Sequence, residues 1–464
     1  MRNLVKLAPH GEKDLMRNRL MQLRIALILL AALEGCSRAG DSLPEKVGPL
    51  PAASPSPERG MLDFSALDPA RDWPWWRGPT RNGVAHRDAK PPVRFGEAEN
   101  VVWRMPVPGR GHSSPVLVGE RVFLTTADEA TQVQSVLAFD RATGRQLWQT
   151  EVNRGGFPRS IHRNNTHATP TIASDGRQLI ATFVHNESIH ATWLDPDGKQ
   201  IRKQTIGPFH PRRYEYGYGP SPLLFKNTCI FCSEFDGASF LAAFEIASGK
   251  EVWRTARPDN ISFSSPVVAP IAGRDQLLLS GAHAVASYDP NTGAELWSAK
   301  ATTAATCGTL VWHGDVVLAS GGFPDSVTCA VKGDGSGKVL WRNNEKCYEQ
   351  SMIVHEGFLY ALTDKGVMYC WDAADGTERW KQRLRGPVSS SPVLADGRIY
   401  WANERGTFYV VRATPERFDL LADNQLGDES FASPAAVGDR FFVRVASSAS
   451  GSRQEYLYCL GEKK

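Results

Sequence analysis

DPNTGAELW, residues 289–297, decides the fold. An Asp, a tight Thr-Gly turn and then a Trp follow one another here, and the same order returns along the chain. It stands as DRATGRQLW with Asp140, Gly144 and Trp148, and as EIASGKEVW with Gly249 and Trp253. GDGSGKVLW adds Gly337 and Trp341, and DAADGTERW adds Gly376 and Trp380. From Trp253 through Trp297 to Trp380 the Trp-to-Trp spacings are 44, 44 and 39 residues. A near-constant period of this length marks repeated supersecondary units, each too small to bury its own apolar face.

Each residue of the motif has a physical reason. The Gly permits the positive φ of a tight hairpin turn, and the Asp side chain can bond the turn backbone. The following strand carries the Trp, whose flat face suits the wedge between neighbouring units. Trp148, Trp253, Trp297, Trp341 and Trp380 are therefore read as structural. Before the turns lie short alternating strands such as LAFD (137–140) and ASYD (286–289). Further upstream is a small-residue step, as in Ser113-Ser114-Pro115, Ala168-Thr169-Pro170, Pro220-Ser221-Pro222, Ser264-Ser265-Pro266, Ser390-Ser391-Pro392 and Ala432-Ser433-Pro434. Two weaker members, Cys307-Gly308-Thr309 and Gln350-Ser351-Met352, fall where the spacing demands.

Eight units of about 40–55 residues result, the length that four antiparallel strands need in one propeller blade. The predicted fold is all-β: an eight-bladed β-propeller over residues 72–464. The eighth unit ends in YLYCLGEKK with no turn and Trp after it. VVWRMPV (101–107), with Trp103, supplies the missing strand, and closing the ring this way removes open sheet edges. Units two and seven lack the Trp.

The bulk numbers exclude some partners. The net charge of +3 vanishes once the first 35 residues are set aside, leaving 47 basic and 47 acidic residues. A neutral chain without a basic face is not built for nucleic acid. The N-terminus has export grammar: a basic MRNRLMQLR, then the nine apolar residues IALILLAAL (25–33), too short to span a bilayer. Leu33-Glu34-Gly35-Cys36 resembles a lipobox, with Cys36 as the lipid-bearing residue. Residues 1–36 are read as the signal, with Met16 as an alternative start, and either lipidation or plain cleavage follows. The expected place is the periplasm or the outer membrane, through a lipid anchor, as a monomer. Residues 37–71, rich in Pro, Ser and Ala, read as a tether. DWPWWRGPTRNG (72–83) reads as an arm packed on the outside or base of the propeller.

The Asp-x-x-Thr-Gly-x-x-x-Trp repeats resemble the pyrroloquinoline-quinone (PQQ) repeat of the quinoprotein-dehydrogenase-like propellers. WPWWRGP (73–79) adds a likeness to exported PQQ-like propellers labelled as BamB-like outer-membrane assembly lipoproteins. The resemblance covers about residues 72–461. It implies a non-enzymatic scaffold that binds an envelope protein or a small polar ligand, or alternatively a PQQ- and calcium-dependent dehydrogenase of alcohols or sugars. Active members of that second group carry two adjacent cysteines beside the quinone, and no two of the eight cysteines here are adjacent. No catalytic or quinone-binding residue carries over, and no cofactor is expected on the scaffold reading. Cys229 and Cys232 form a C-x-x-C within a strand-like run, where residues three apart face opposite sides, so they read as buried small hydrophobes.

Two constellations remain. His167, His185 and His190 fall where a loop leading into the second blade and that blade's second hairpin share one rim, a setting in which imidazoles suit a transition metal. The loops leading into the eight blades also offer His112, His167, Tyr216, Tyr218, Phe263, Tyr348, Glu349 and Glu429 around the channel mouth. Aromatic rings with His and carboxylates suit a peptide or small polar ligand.

Overall fold

The computed structural model describes residues 59–462. The signal, Cys36 and the first part of the tether lie outside the described residues. Within them are eight antiparallel sheets of four strands, each one blade. The innermost strands are short, as at Val116–Val118, Leu223–Phe225 and Val393–Ala395. The strand Val101–Val107 joins the last blade by pairing with Gln454–Leu460, Trp103 opposite Cys459 and Arg104 opposite Tyr458. The ring is closed by strands from its two ends, as the missing final turn predicted.

The turn and the Trp turn out to be one device spanning two blades. Asp140 Oδ1 accepts from the backbone N–H and the hydroxyl of Thr143 at 2.8 and 2.7 Å, fixing the turn. Gly144 has φ +75, and a Cβ there would meet the Trp103 ring at 2.6 Å. The indole N–H of Trp103 donates to Arg141 O in the same turn. Trp148, Trp253, Trp341 and Trp380 likewise donate to Pro196, Pro290, Ala373 and Thr414 in the turn of the next blade. Each Trp therefore holds the following blade's turn, and the Gly is needed both for its φ and for the space the ring takes. Trp297 departs from this, donating to Gln276 Oε1 within its own blade. In the second blade, Arg202 occupies the Trp register and donates to Ile246 O and Ala247 O of the next turn.

The expected tether is folded from Arg59 onward. Met61 and Phe64 are buried beside Trp75, with Phe64 and Trp75 rings 5.7 Å apart. The aromatic arm then crosses the end of the ring on the side of the Thr-Gly turns. Trp73 exchanges backbone hydrogen bonds with Leu117, Pro74 O accepts from Ser174, and Arg81 donates to Leu224 O at 2.6 Å. Asn82 bonds both ways with Trp312, Arg77 donates to Met352 O and Pro392 O, and Ala85 pairs with Leu394. These carbonyls and amides sit on or beside innermost strands of six blades, so the arm is a plug at the base of the axis. Arg77 and Arg81 are buried there with no ion pair among the described residues, and desolvation lowers their pKa to about 9 and about 10, in Arg81 against the pull of Asp63 and Asp275. Further along, Phe95 wedges between Phe408 and Phe441, beside the seventh blade, where Ala422 stands in the Trp register.

Candidate functional site

The small-residue steps build the wall of the axial channel. A Ser or Thr stands two residues before each innermost strand, and in six of the eight blades its hydroxyl accepts from the backbone N–H of its counterpart in the preceding blade. The links run Ser114 to Thr171, Thr171 to Ser221, Ser221 to Ser265, Thr309 to Ser351, Ser351 to Ser391 and Ser391 to Ser433, at 2.8–3.0 Å. Only a short hydroxyl-bearing side chain can both fit at the axis and satisfy a backbone donor that strand pairing leaves free. In the second blade the belt residue is Thr171, not Thr169 of the predicted Ala168-Thr169-Pro170 step. Thr169 instead bonds Asn165 and Thr166 within its loop.

Trp76 turns from the plug toward the axis and donates its indole N–H to Thr309 Oγ1 of this belt at 2.8 Å. The channel is thereby a cup of about 320 Å³, floored by Trp76, walled by belt hydroxyls and rimmed by the loops that lead into the blades. Five of the eight proposed rim residues line it: His112, Tyr216, Phe263, Tyr348 and Glu349. Sequence reading missed Tyr214, Phe323, Phe431 and His162. Tyr214 lies 5.6 Å from both Tyr216 and Phe323, and Phe431 stacks on His112 at 4.6 Å. Phe323 belongs to a hairpin between the second and third strands of its blade, a loop class that carried no signal beyond its position.

Three proposed rim residues lie elsewhere, each for a stated reason. Tyr218 is buried, donating its hydroxyl to Cys232 O at 2.7 Å, because the Gly-Pro step after it turns the chain inward. Glu429 is held by Arg453, which also bonds Glu455 at 2.9 Å. His167 packs its ring on Phe157 at 4.3 Å, outside the cup. The predicted metal rim does not assemble either. His185 and His190 rings are 5.4 Å apart, but His185 spends one nitrogen on Gly155 O and the other on Asn186. Among the described residues no three His, Cys, Asp or Glu side chains form a metal-sized group. Cys229 and Cys232 are both buried and unpaired, in the core on opposite faces of their sheet.

The electrostatics of the cup are one-sided. Among the described residues its lining contains no Lys or Arg, and its single carboxyl is Glu349. Burial raises the pKa of Glu349, and the nearby Glu404 and Asp364 add to the rise, against hydrogen bonds from Ser389 and Asn164. Burial and the positive charges of Arg110, Arg444 and Arg453 push His112 well below the ordinary imidazole value, so its ring is neutral at pH 7. The cup thus offers aromatic faces, hydroxyls, the imidazoles of His112 and His162 and one carboxyl.

Eight four-stranded blades, five of them tied by a Trp to the turn of the next, define a PQQ-repeat propeller. The family model described as outer membrane protein assembly factor BamB matches residues 96–255, 217–335 and 326–444, and the chain belongs to that family. It is 25% identical over 355 residues to the outer membrane protein assembly factor BamB of Burkholderia pseudomallei, covering 66% of this chain and 85% of that one. Among solved structures, BamB from Moraxella catarrhalis superposes with a TM-score of 0.56 at 13% identity, over 77% of this chain and 99% of that one. A quinohemoprotein alcohol dehydrogenase from Comamonas testosteroni gives 0.61 at 12% identity, over 87% and 83%. A europium-containing methanol dehydrogenase gives 0.57 at 12%, over 87% and 100%. At such identities the structural likenesses carry the fold alone.

Proposed function

We propose that the chain is a non-enzymatic binding propeller of the cell envelope, which engages a protein or a small polar ligand on the face of the lead-in loops. The observation that carries this reading is the cup: a preformed concave site, mostly apolar, with a few convergent polar groups. On the opposite face the turn residues are spent on fixing the turns and the axis is filled by the plug. Membership in the BamB family supports an envelope location, and the signal-like N-terminus with Cys36 supports a lipid anchor there.

The donor set argues against the dehydrogenase reading. PQQ is a tricarboxylic acid, and calcium takes six to eight oxygen ligands. A lining without Lys or Arg gives those carboxylates no counter-charge, and Glu349 is a single carboxyl for the metal. Cys307 is the one cysteine in the lining, without an adjacent partner.

A photo-crosslinking residue placed at Tyr216, on the cup rim, is expected to give a discrete adduct in envelope preparations, while one at Asn291, in a Thr-Gly turn, gives none. Fatty-acid labelling is expected in the wild type and absent in Cys36→Ala. Adducts from Asn291 alone, or dye reduction by alcohols or sugars once PQQ and calcium are supplied, would overturn the reading.

A further inference from the structure

We infer that the cup receives an organic cation, an ammonium or guanidinium on an apolar body, held against Glu349 between the aromatic walls. The inference rests on the reading of the cup as a binding site and names the chemistry of what enters it. Two independent observations carry it. The first is the wall: Tyr214, Tyr216, Phe263, Phe323 and Tyr348 stand around the mouth, and Trp76 forms the floor. Ring faces carry negative quadrupole charge and attract a desolvated cation lying within about 6 Å of their centroids. Tyr216 and Phe263 have centroids 6.2 Å apart at an interplanar angle of 31°, and Tyr214 sits edge-on to Phe323 across the same opening.

The second observation is charge. Glu349 lines the cup, and its only hydrogen-bond partners among the described residues are the neutral Ser389 and Asn164. Glu404, behind it, likewise accepts from Ser389 Oγ at 2.6 Å and forms no ion pair among the described residues. Asp364, the third carboxylate nearby, is matched by Lys346 at 3.5 Å. That ammonium also lies 5.3 Å from the Tyr348 ring, so one of the wall rings already takes a cation on its face. Glu349 in the lining and Glu404 behind it are therefore carboxyl groups without an ion pair among the described residues, beside a lining in which those residues include no Lys or Arg. An entering anion would meet uncompensated carboxylates, whereas an entering cation would supply the missing partner. The cation could arrive as a free amine or as the Lys or Arg side chain of a protein, and the two sources are separable.

The test is calorimetry on the propeller with phenethylamine, 2-phenylethanol and phenylacetate, which share a ring and a two-atom or shorter arm but differ in charge. Phenethylamine is expected to bind at least about tenfold more tightly than the alcohol, and phenylacetate not at all. Glu349→Gln should remove the preference for the amine while leaving weak binding of the alcohol and an unchanged Tm. Phe263→Ala should weaken amine and alcohol together. In a second arm, the tripeptides acetyl-Ala-Lys-Ala-amide and acetyl-Ala-Arg-Ala-amide are compared with free phenethylamine. Tighter peptide binding assigns the cation to a protein side chain, and tighter amine binding assigns it to a small molecule. Equal or better binding of phenylacetate, no binding of any probe, or a Glu349→Gln variant that keeps the preference overturns the inference. A crosslink at Tyr216 to an envelope partner would still stand in those cases, so the scaffold reading fails separately.

Discussion

Gly144 shows how much one residue of the repeat decides. Its φ of +75 lies in the left-handed region, and the Trp103 ring covers the place a side chain would need. An Ala there costs about 1–2 kcal/mol for the backbone alone, and displacing the ring also removes the bond from Trp103 to Arg141 O. Gly144→Ala is expected to be destabilised by about 2–4 kcal/mol, read as a shift of the urea midpoint. Gly119→Ala serves as the comparison. It also has positive φ, at +57, but nothing within 4 Å of the added Cβ, so it should lose only the backbone part. Equal losses would show that the ring contact contributes nothing.

The structural Trp positions were legible because period, turn chemistry and ring size all pointed the same way. The cup residues were less so. His112, Tyr216, Phe263, Tyr348 and Glu349 could be named because the spacing places lead-in loops at the channel mouth. Whether a given loop residue points to the axis, into the core or sideways depends on one or two backbone angles that no periodicity encodes. Tyr216 and Tyr218 illustrate this: two residues apart, one is on the rim at 40% exposure and the other is bonded to Cys232 in the core.

At the scale of the blade, the seams are where stability is concentrated. Between the third and fourth blades Arg257 lies 2.6 Å from Glu234, both side chains almost fully buried, and the guanidinium also bonds Tyr288 Oη. A second buried pair, Arg444 with Glu455 at 2.6 Å, ties the last blade to Ser113 and Thr125 O of the first. A buried pair contributes little over an apolar substitute, but removing one member strands the other's charge. Arg257→Met is expected to lose about 3–5 kcal/mol, while Arg257→Met with Glu234→Leu recovers most of it. Chemical denaturation of both variants checks this, and a double variant no better than the single would count against an unpaired-charge origin. The sequence carried no sign of these pairs: their members stand 23 and 11 residues apart on neighbouring segments of one blade, and no periodicity encodes which of the many charged side chains turn inward. Arg202 was invisible for a related reason. It fills a Trp's register with a different chemistry, reaching the same turn carbonyls through its guanidinium while lying over Trp193 at 4.5 Å.

Across the whole molecule, closure joins residues far apart in the chain: Val107 pairs with Glu455, and Trp103 with Cys459. Without Val101–Val107 the last blade keeps three strands and exposes the edge of Gln454–Leu460, while the first blade's turn loses Trp103. Deleting residues 101–107 is expected to give a chain that aggregates in light scattering under conditions where the full chain stays monodisperse. A monodisperse deletion variant would mean that the ring does not depend on this strand.

That same pairing sets an order of events during synthesis. The closing strand leaves the ribosome more than three hundred residues before its partner exists. Seven blades can form by local hairpins as they emerge, but the eighth cannot, and until it does the apolar faces at the two ends of the arc are uncovered. The plug is in the same position, since Trp76 waits for Thr309, and Arg77 for Met352 and Pro392. A chain that folds this way gains its seam and its cup floor only in the last moments of maturation. Until then it depends on being kept from other chains, and a nascent chain stalled anywhere before residue 454 is an open arc with bare apolar faces at its ends rather than a smaller propeller.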